Sequence, residues 1–295
     1  MLSCSSSDDK NIGGEKISNA IKNGDDIYYE DATISGDVNL IDLNNAVKAA
    51  PSQMTVYIKG ALVFKNCTFK GMLIAALKDN AKNTYNTIFL KNLYFENCTF
   101  NDDVNLEGAA INGFCNFLNC TFNKEALFNR ITFNQNAAFT KCVFQQTGGF
   151  QGCTFMNNAY FNEAHFGKAC FFQNSYMYRE FTFNLVMSDA YTDFSNTSFY
   201  STIHCNYAQF HKDVIFGGAS FRGRTEFIGS KFTNTDYTGG IFYGITLFDK
   251  SEFSGNLLLK DAKFLHSKPS TNGCKAGNVD LTGAQVAGTN AFTDF

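Results

Sequence analysis

The chain has no tryptophan, two prolines and few charges: Asp, Glu, Lys and Arg make up 17% of its 295 residues. With so little proline, 24 glycines do not indicate a collagen-like or proline-rich rod. No run of eighteen apolar residues occurs, so no helix of membrane-spanning length is encoded. Lysine plus arginine (24) nearly balances aspartate plus glutamate (27), which leaves neither a basic stripe for nucleic acid nor an acidic block. A net charge of −3 falls far short of the negative field that mimicry of DNA requires. The close cysteine pairs of zinc knuckles are missing. No metal, cofactor or nucleic-acid partner is therefore expected, and the surface must be largely Asn, Thr, Ser, Gly and Gln.

What the chain has in excess is phenylalanine, 33 residues of it. Starting at Phe95 and stepping alternately by five and six gives 26 positions ending at Phe232, of which 21 are Phe. The other five are Leu106, Ile111, Met177, Ser188 and Cys205. The residue two before each of these positions is never charged and is usually small, as at Cys98, Ala109, Cys120, Ala137 and Cys142. Spacing by two puts both side chains on one face of a strand. Each short segment thus turns one large and one small residue inward and leaves the residue between them, such as Thr121 or Thr154, pointing out. A right-handed coiled coil shares the eleven-residue period. It is rejected because a step of five turns a helix by roughly 140° and splits the phenylalanines over two faces. An internal repeat of this kind specifies a solenoid.

The segments "CTFNK", "CVFQQ", "CTFMN" and "AHFGK" resemble the pentapeptide-repeat proteins, in which a central Phe or Leu follows a small residue two earlier. The resemblance implies an all-β fold, a right-handed parallel quadrilateral β-helix in which two five-and-six pairs complete each coil. The alternation of five and six departs from the strict five of the simplest members. The same pattern extends to Ile34, Leu40, Ile58, Phe64 and Phe69, and to Phe242, Phe248, Phe253, Leu259, Phe264, Leu281, Val286 and Phe292. A one-residue slip near Gly239–Gly240 is needed to keep the phase. Roughly ten coils are expected, a rod of ~50 Å.

The expected organisation is a disordered tether over 1–14, a capping helix over 15–25 and one β-helix domain over 26–295. "EKISNAIKNG" (15–24) puts Ile17, Ala20 and Ile21 on one helical face, fit to cover the open first coil. Three segments interrupt the winding. Residues 42–54 are read as a loop holding a short helix ended by Pro51, 78–86 as a polar loop, and 265–277 as a loop replacing half a coil. No helix follows Phe292, so the last coil is a candidate surface for a homodimer joined end to end.

The cysteines other than Cys4 mostly fall in small inward slots and are read as buried free thiols. The sequons at Asn66, Asn97, Asn119 and Asn196 are read as by-products of the repeat. Where the inward pattern weakens, a coil of two five-and-six pairs puts Tyr178 beneath Tyr200, with Tyr176 beside them and Arg222 one coil further. These four are the candidate ligand-binding residues, and a glycan or an envelope protein is the candidate ligand. The same spacing makes Asp189 and His211 neighbours, with His165 diagonal to them. No residue is assigned a catalytic role, since acidic residues are scattered and a glycosidase groups its carboxylates. "MLSCSSSDDK" resembles the processing site and tether of a bacterial lipoprotein, with Cys4 as the lipidated residue and an outer-membrane or surface location. The resulting expectation is a non-catalytic, rigid scaffold of the bacterial cell envelope, attached to membrane only through a lipid anchor. A polysaccharide-active β-helix enzyme, a cytosolic interaction scaffold and a DNA mimic are the alternatives.

Overall fold

The computed structural model describes residues 10–287. One coil shows the plan. Leu93–Glu96 forms its first face, Thr99–Phe100 the second, Val104–Asn105 the third and Ala110–Ile111 the fourth. Cys115–Leu118 then begins the next coil directly over the first. Every face pairs in parallel with its counterpart in the next coil: Leu93 with Cys115, Thr99 with Thr121, Val104 with Ala126 and Ala110 with Thr132. The protein is a four-sided parallel β-helix. Its longest column, on the second face, stacks twelve strands from Asn11–Gly13 to Lys275–Asp280. That exceeds the roughly ten coils expected; Ile12 and Tyr29, which the pattern did not include, also fill inward slots of the first coils.

The core is a column of aromatic rings. Phe150 lies flat against Phe128 and Phe172, at centroid distances of 5.1 and 5.0 Å and within 9° of parallel. Across the coil it meets Phe139 and Phe161 edge-on, at 78° and 90°. Each ring therefore makes offset stacks along the axis and T-shaped contacts across it, the two geometries that the ring quadrupole favours. Parallel backbone pairing sets the axial spacing. A ring in every slot is thus held near its preferred distance from the next.

The weak stretch around 176–211 is an exchange of volumes. Ser188 and Cys205 sit in large slots, while Phe181 and Ile203 occupy small ones, and all four are buried. Phe181 packs against Phe161, Phe172 and Phe199 and restores the missing bulk. The Ser188 hydroxyl, buried among rings, is satisfied by Thr192 at 2.8 Å and by the Ala190 carbonyl.

The alternation of five and six comes from two kinds of corner. A five-residue step turns tightly through one residue of positive φ two places after the inward ring: Asn97 (52°), Asn119 (52°), Arg130 (57°) and Gly108 (68°) are examples. Between Phe95 and Phe264 the six-residue steps turn more widely without one. Left-handed backbone is costly for most side chains and least so for Gly and Asn. This explains the sequons. Asn119, Asn97 and Asn66 occupy one such corner and donate amide to amide down the column, at 2.8 and 3.0 Å, ending on Asp31. Small inward slots have a second role. Cys142, Cys153, Ser175 and Thr197 each donate to a main-chain carbonyl of the coil below, at 2.8–2.9 Å. Thiols and hydroxyls interchange there because the slot asks for a small donor. Among the described residues nine cysteines are free, eight of them buried. Burial pushes the Cys153 thiol up to about 12 and Cys115 higher, so both stay protonated.

Several expectations on organisation need correction. The cap is the helix Gly14–Lys22, with Ile17, Ala20 and Ile21 buried as read. Residues 11–13, however, are no tether but a strand, Asn11–Gly13, paired with Thr33–Ser35, because Ile12 belongs to the inward set. The region 42–54 forms no helix. Val47–Ala50 runs antiparallel to Gln53–Ile58, and Pro51 and Ser52 make the turn, Ser52 with a φ of 59°. The polar loop at 78–86 is likewise the turn of a hairpin, Ala76–Lys78 against Thr84–Phe89. The two hairpins join through six parallel pairs, Gln53–Ile58 with Thr84–Phe89, and form a wing on the fourth face. Flanking β-branched and aromatic residues with a turn between them outweighed the helical spacing read there. At 265–277 the coil continues: Ser270 bridges to Leu247 and Lys275 pairs with Glu252, each pair one position wider than the regular interval, so one residue is added. The slip also lies elsewhere. Lys231 pairs with Gln209 at the regular interval, but Thr235 pairs with Val214, one position short of it, so the residue is lost at the wide corner after Phe232. The resulting inward residue is Tyr237, stacked on Phe216 at 4.9 Å. Cys4 and Phe292, with the end-to-end surface read there, lie outside the described residues.

Truncating Phe150 to Ala should cost about 3–5 kcal/mol in urea unfolding followed by circular dichroism. The exposed Phe114→Ala change should cost less than about 0.5 kcal/mol. Tyr237→Phe should raise stability by about 1–2 kcal/mol, since the Tyr237 hydroxyl is buried without a partner among the described residues.

Candidate functional site

The residue that follows each fourth-face strand sits at a wide corner and points outward. Its backbone N–H donates to the carbonyl of the inward residue one coil below, as Tyr200 does to Met177 and Arg222 to Phe199. Backbone pairing therefore lines up Met156, Tyr178, Tyr200, Arg222, Tyr243 and Leu265 in successive coils. They form a ridge ~24 Å long at the spacing of parallel strands. The five apolar members are 36–47% exposed. Exposed apolar side chains also occur elsewhere, as at Phe114, Leu185 and Tyr207, but here they run through successive coils, and a contiguous stripe of this kind is a candidate interaction site.

The ridge is pre-ordered. Tyr178 and Tyr200 stack at 4.7 Å and 12°. The Arg222 guanidinium lies over Tyr200 at 4.9 Å and over Tyr243 at 5.5 Å. Arg222 is thus sandwiched between two π faces, and it has no ion pair among the described residues. Arg179, beside Tyr178, likewise has none among them. Sequence spacing anticipates the stacking of Tyr178 on Tyr200 and the position of Arg222. Tyr176 is placed on the flat of the fourth face between Thr154 and Ser198, exposed, and joins no ring pair among the described residues. Tyr243, Met156 and Leu265 were missed. Tyr243 falls one position short of a regular coil after Arg222, so a fixed period points to Gly244 instead. The five-and-five spacing of Phe232, Tyr237 and Phe242 is the signal that would have located it.

Two polar clusters lie on neighbouring faces. On the second face, Asp189 takes His165 Nε2 at 2.7 Å and His211 Nδ1 at 2.9 Å, the arrangement anticipated from spacing. Hydrogen bonding from His165, joined by His211 against a smaller opposing effect of partial burial, holds the Asp189 carboxyl below its usual range. On the first face, His204 lies between Glu226 (2.7 Å to Nδ1) and Glu180 (3.3 Å to Nε2). Burial works against the charge of Glu226, yet bonds from Arg224, Asn206 and His204 outweigh it and keep the carboxyl below its usual range. No group of three ligating side chains among the described residues is arranged to hold a metal. Between the wing and the rod lies a cleft of about 470 Å³ lined by Lys78, Asn86, Glu107 and Arg130, in which Arg130 and Glu107 pair at 2.9 Å.

Asp189 illustrates the acid limb of stability. Its lowered carboxyl means the contribution is present above the unfolded value of about 4 and is lost as pH falls through the folded value. Asp189→Asn should therefore lower the melting temperature at pH 6, and the difference from the parent should vanish near pH 2 in scans at both values.

No curated protein matches this chain. Among solved structures, it is similar to the crystal structure of HetL, a pentapeptide repeat protein involved in heterocyst differentiation regulation from the cyanobacterium Nostoc. Identity is 9%, coverage is 93% of this chain and 95% of that one, and the TM-score is 0.20. The family model for pentapeptide repeats matches residues 85–132 and 128–175. The coils it matches stack in unbroken parallel ladders with those before and after them, so the chain carries pentapeptide repeats over residues 85–175 and the same winding continues on either side.

Proposed function

We propose that this protein is a non-catalytic scaffold of the bacterial cell envelope, and that its aromatic ridge docks a protein or glycan partner. The observation that carries this reading is the unbroken line of exposed Met, Tyr and Leu side chains around an unpaired, sandwiched arginine. Tyrosine and arginine dominate the energetics of protein interfaces, and rigid placement lowers the entropy lost on binding. Of the two partners the geometry favours protein. A sugar stacks on an open ring face, but Tyr178 and Tyr200 cover each other and Arg222 covers two more faces. What the ridge offers outward is ring edges, hydroxyls and guanidinium N–H groups.

Against a glycosidase, Glu180 and Glu226 are drawn onto the one imidazole of His204 rather than set on either side of a substrate. The envelope location rests on Cys4 and the polar run behind it. It separates this reading from that of a cytosolic scaffold.

A photo-crosslinking residue placed at position 200 or 243 in the source cell should give a discrete protein adduct, and one at Asn116 on the first face should give none. A shift caused by glycan would replace the protein partner with a sugar, and the absence of any ridge adduct would remove the docking role. Labelled palmitate should be incorporated by the parent with its upstream genomic frame and not by Cys4→Ser; no label in the parent would move the scaffold to the cytosol.

A further inference from the structure

The ridge has an order that its chemistry alone does not require. Read along the axis it runs Met156, Tyr178, Tyr200, Arg222, Tyr243, Leu265, one residue per coil. Reversed, it runs apolar, aromatic, cationic, aromatic, aromatic, apolar. Laid antiparallel on itself about its midpoint, it sets Met156 against Leu265, Tyr178 against Tyr243 and Tyr200 against Arg222. The flanking outward column on the fourth face behaves in the same way. It reads Thr154, Tyr176, Ser198, Ser220, Ile241, Lys263, so reversal sets Tyr176 against Ile241 and Ser198 against Ser220. In the column on the other side, Arg179 comes opposite Gly244.

We infer that the partner of the ridge is a second copy of this chain, in an antiparallel, side-by-side dimer whose two-fold axis crosses the rods between the coils of Tyr200 and Arg222. This rests on the docking reading above and names its occupant. A two-fold makes every contact reciprocal, and about this axis it sets apolar against apolar at the ends of the ridge and Arg222 against Tyr200 at its centre. A two-fold along the rods would instead set Arg222 against Arg222, like charge against like. Antiparallel alignment offsets the two guanidinium groups by one coil and presents each to the edge and hydroxyl of a Tyr200. Both π faces of Arg222 are already occupied, so its N–H edge is what remains to contact the other copy. The ridge ends where the pattern ends: the next coil before Met156 carries Asn134, whose amide is already bonded to Asn112 at 2.7 Å. The ridge and its two flanking columns supply about eighteen residues, fewer than the ~20–30 a side of a standard interface, so the dimer should be concentration-dependent.

The test uses the purified full chain. Sedimentation velocity from about 1 to 500 μM should show a reversible monomer–dimer equilibrium with dissociation in the micromolar range. Arg222→Glu should abolish the dimer, and Asn116→Glu, on the first face, should leave it intact; equal melting temperatures for the two variants would show that folding is not the cause. In a Cys4→Ser, Cys274→Ser background, mixed Tyr178→Cys and Tyr243→Cys proteins should form a disulfide heterodimer in preference to either homodimer. A parent that stays monomeric throughout overturns the inference, as does self-linking of Tyr178→Cys or a dimer insensitive to Arg222→Glu. A monomeric parent that still gives ridge adducts to another protein in cells would sink the dimer alone and leave the docking role standing.

Discussion

Face-to-face contact between phenyl rings of successive coils is the interaction on which everything else here depends. A parallel β-ladder brings equivalent residues to a fixed separation of ~4.8 Å, and observed ring separations such as 4.7 Å for Phe144–Phe166 and 4.9 Å for Phe172–Phe194 match it closely. Backbone and side chain thus ask for the same spacing, and neither is strained to satisfy the other. Because coil contacts coil and nothing more distant, the structure is assembled from nearest-neighbour terms. The same rule operates outside: whatever side chain a surface position carries is placed directly above its counterpart in the coil below. The asparagine column, the Asp189–histidine cluster and the tyrosine ridge are three results of one geometry.

Outward positions differ from inward ones in what they tolerate. Inward slots keep volume constant, and the Phe181 and Ser188 exchange shows how a lost ring is replaced from the adjacent slot. Outward positions need only avoid like charges in a column. The wide corners of the rod are therefore free to carry a contact surface without any cost to the core. On this rod one of them carries a run of tyrosine, arginine, methionine and leucine, where the two preceding coils carry Asn112 and Asn134.

The fold was legible because the repeat dictates it redundantly: any ten consecutive inward positions from Phe95 to Phe172 identify the period. The hairpins at 47–58 and 76–89 were not, because their apolar residues suit more than one backbone and only pairing between the two insertions decides it. Ile12 was overlooked as the start of the winding because a lone isoleucine beside a polar leader carries no period. At the site, Tyr178, Tyr200 and Arg222 could be placed from arithmetic, whereas Tyr243 could not, since the chain is one residue short between them. Spacing alone gives no sign of ring orientation, and it is orientation that changes a sugar platform into a row of edges.

The two wide corners that change length, one shortened after Phe232 and one lengthened after Phe264, share a property with evolutionary meaning. Rings on either side stay in phase: Phe210, Phe232 and Phe253 remain stacked at 5.1 and 4.9 Å despite the missing residue. Such a corner absorbs copying errors in the gene that would shift every later residue of an ordinary strand to the wrong side of its sheet. New outward features can therefore be introduced in one coil by insertion or deletion, with no compensating change anywhere else along the rod.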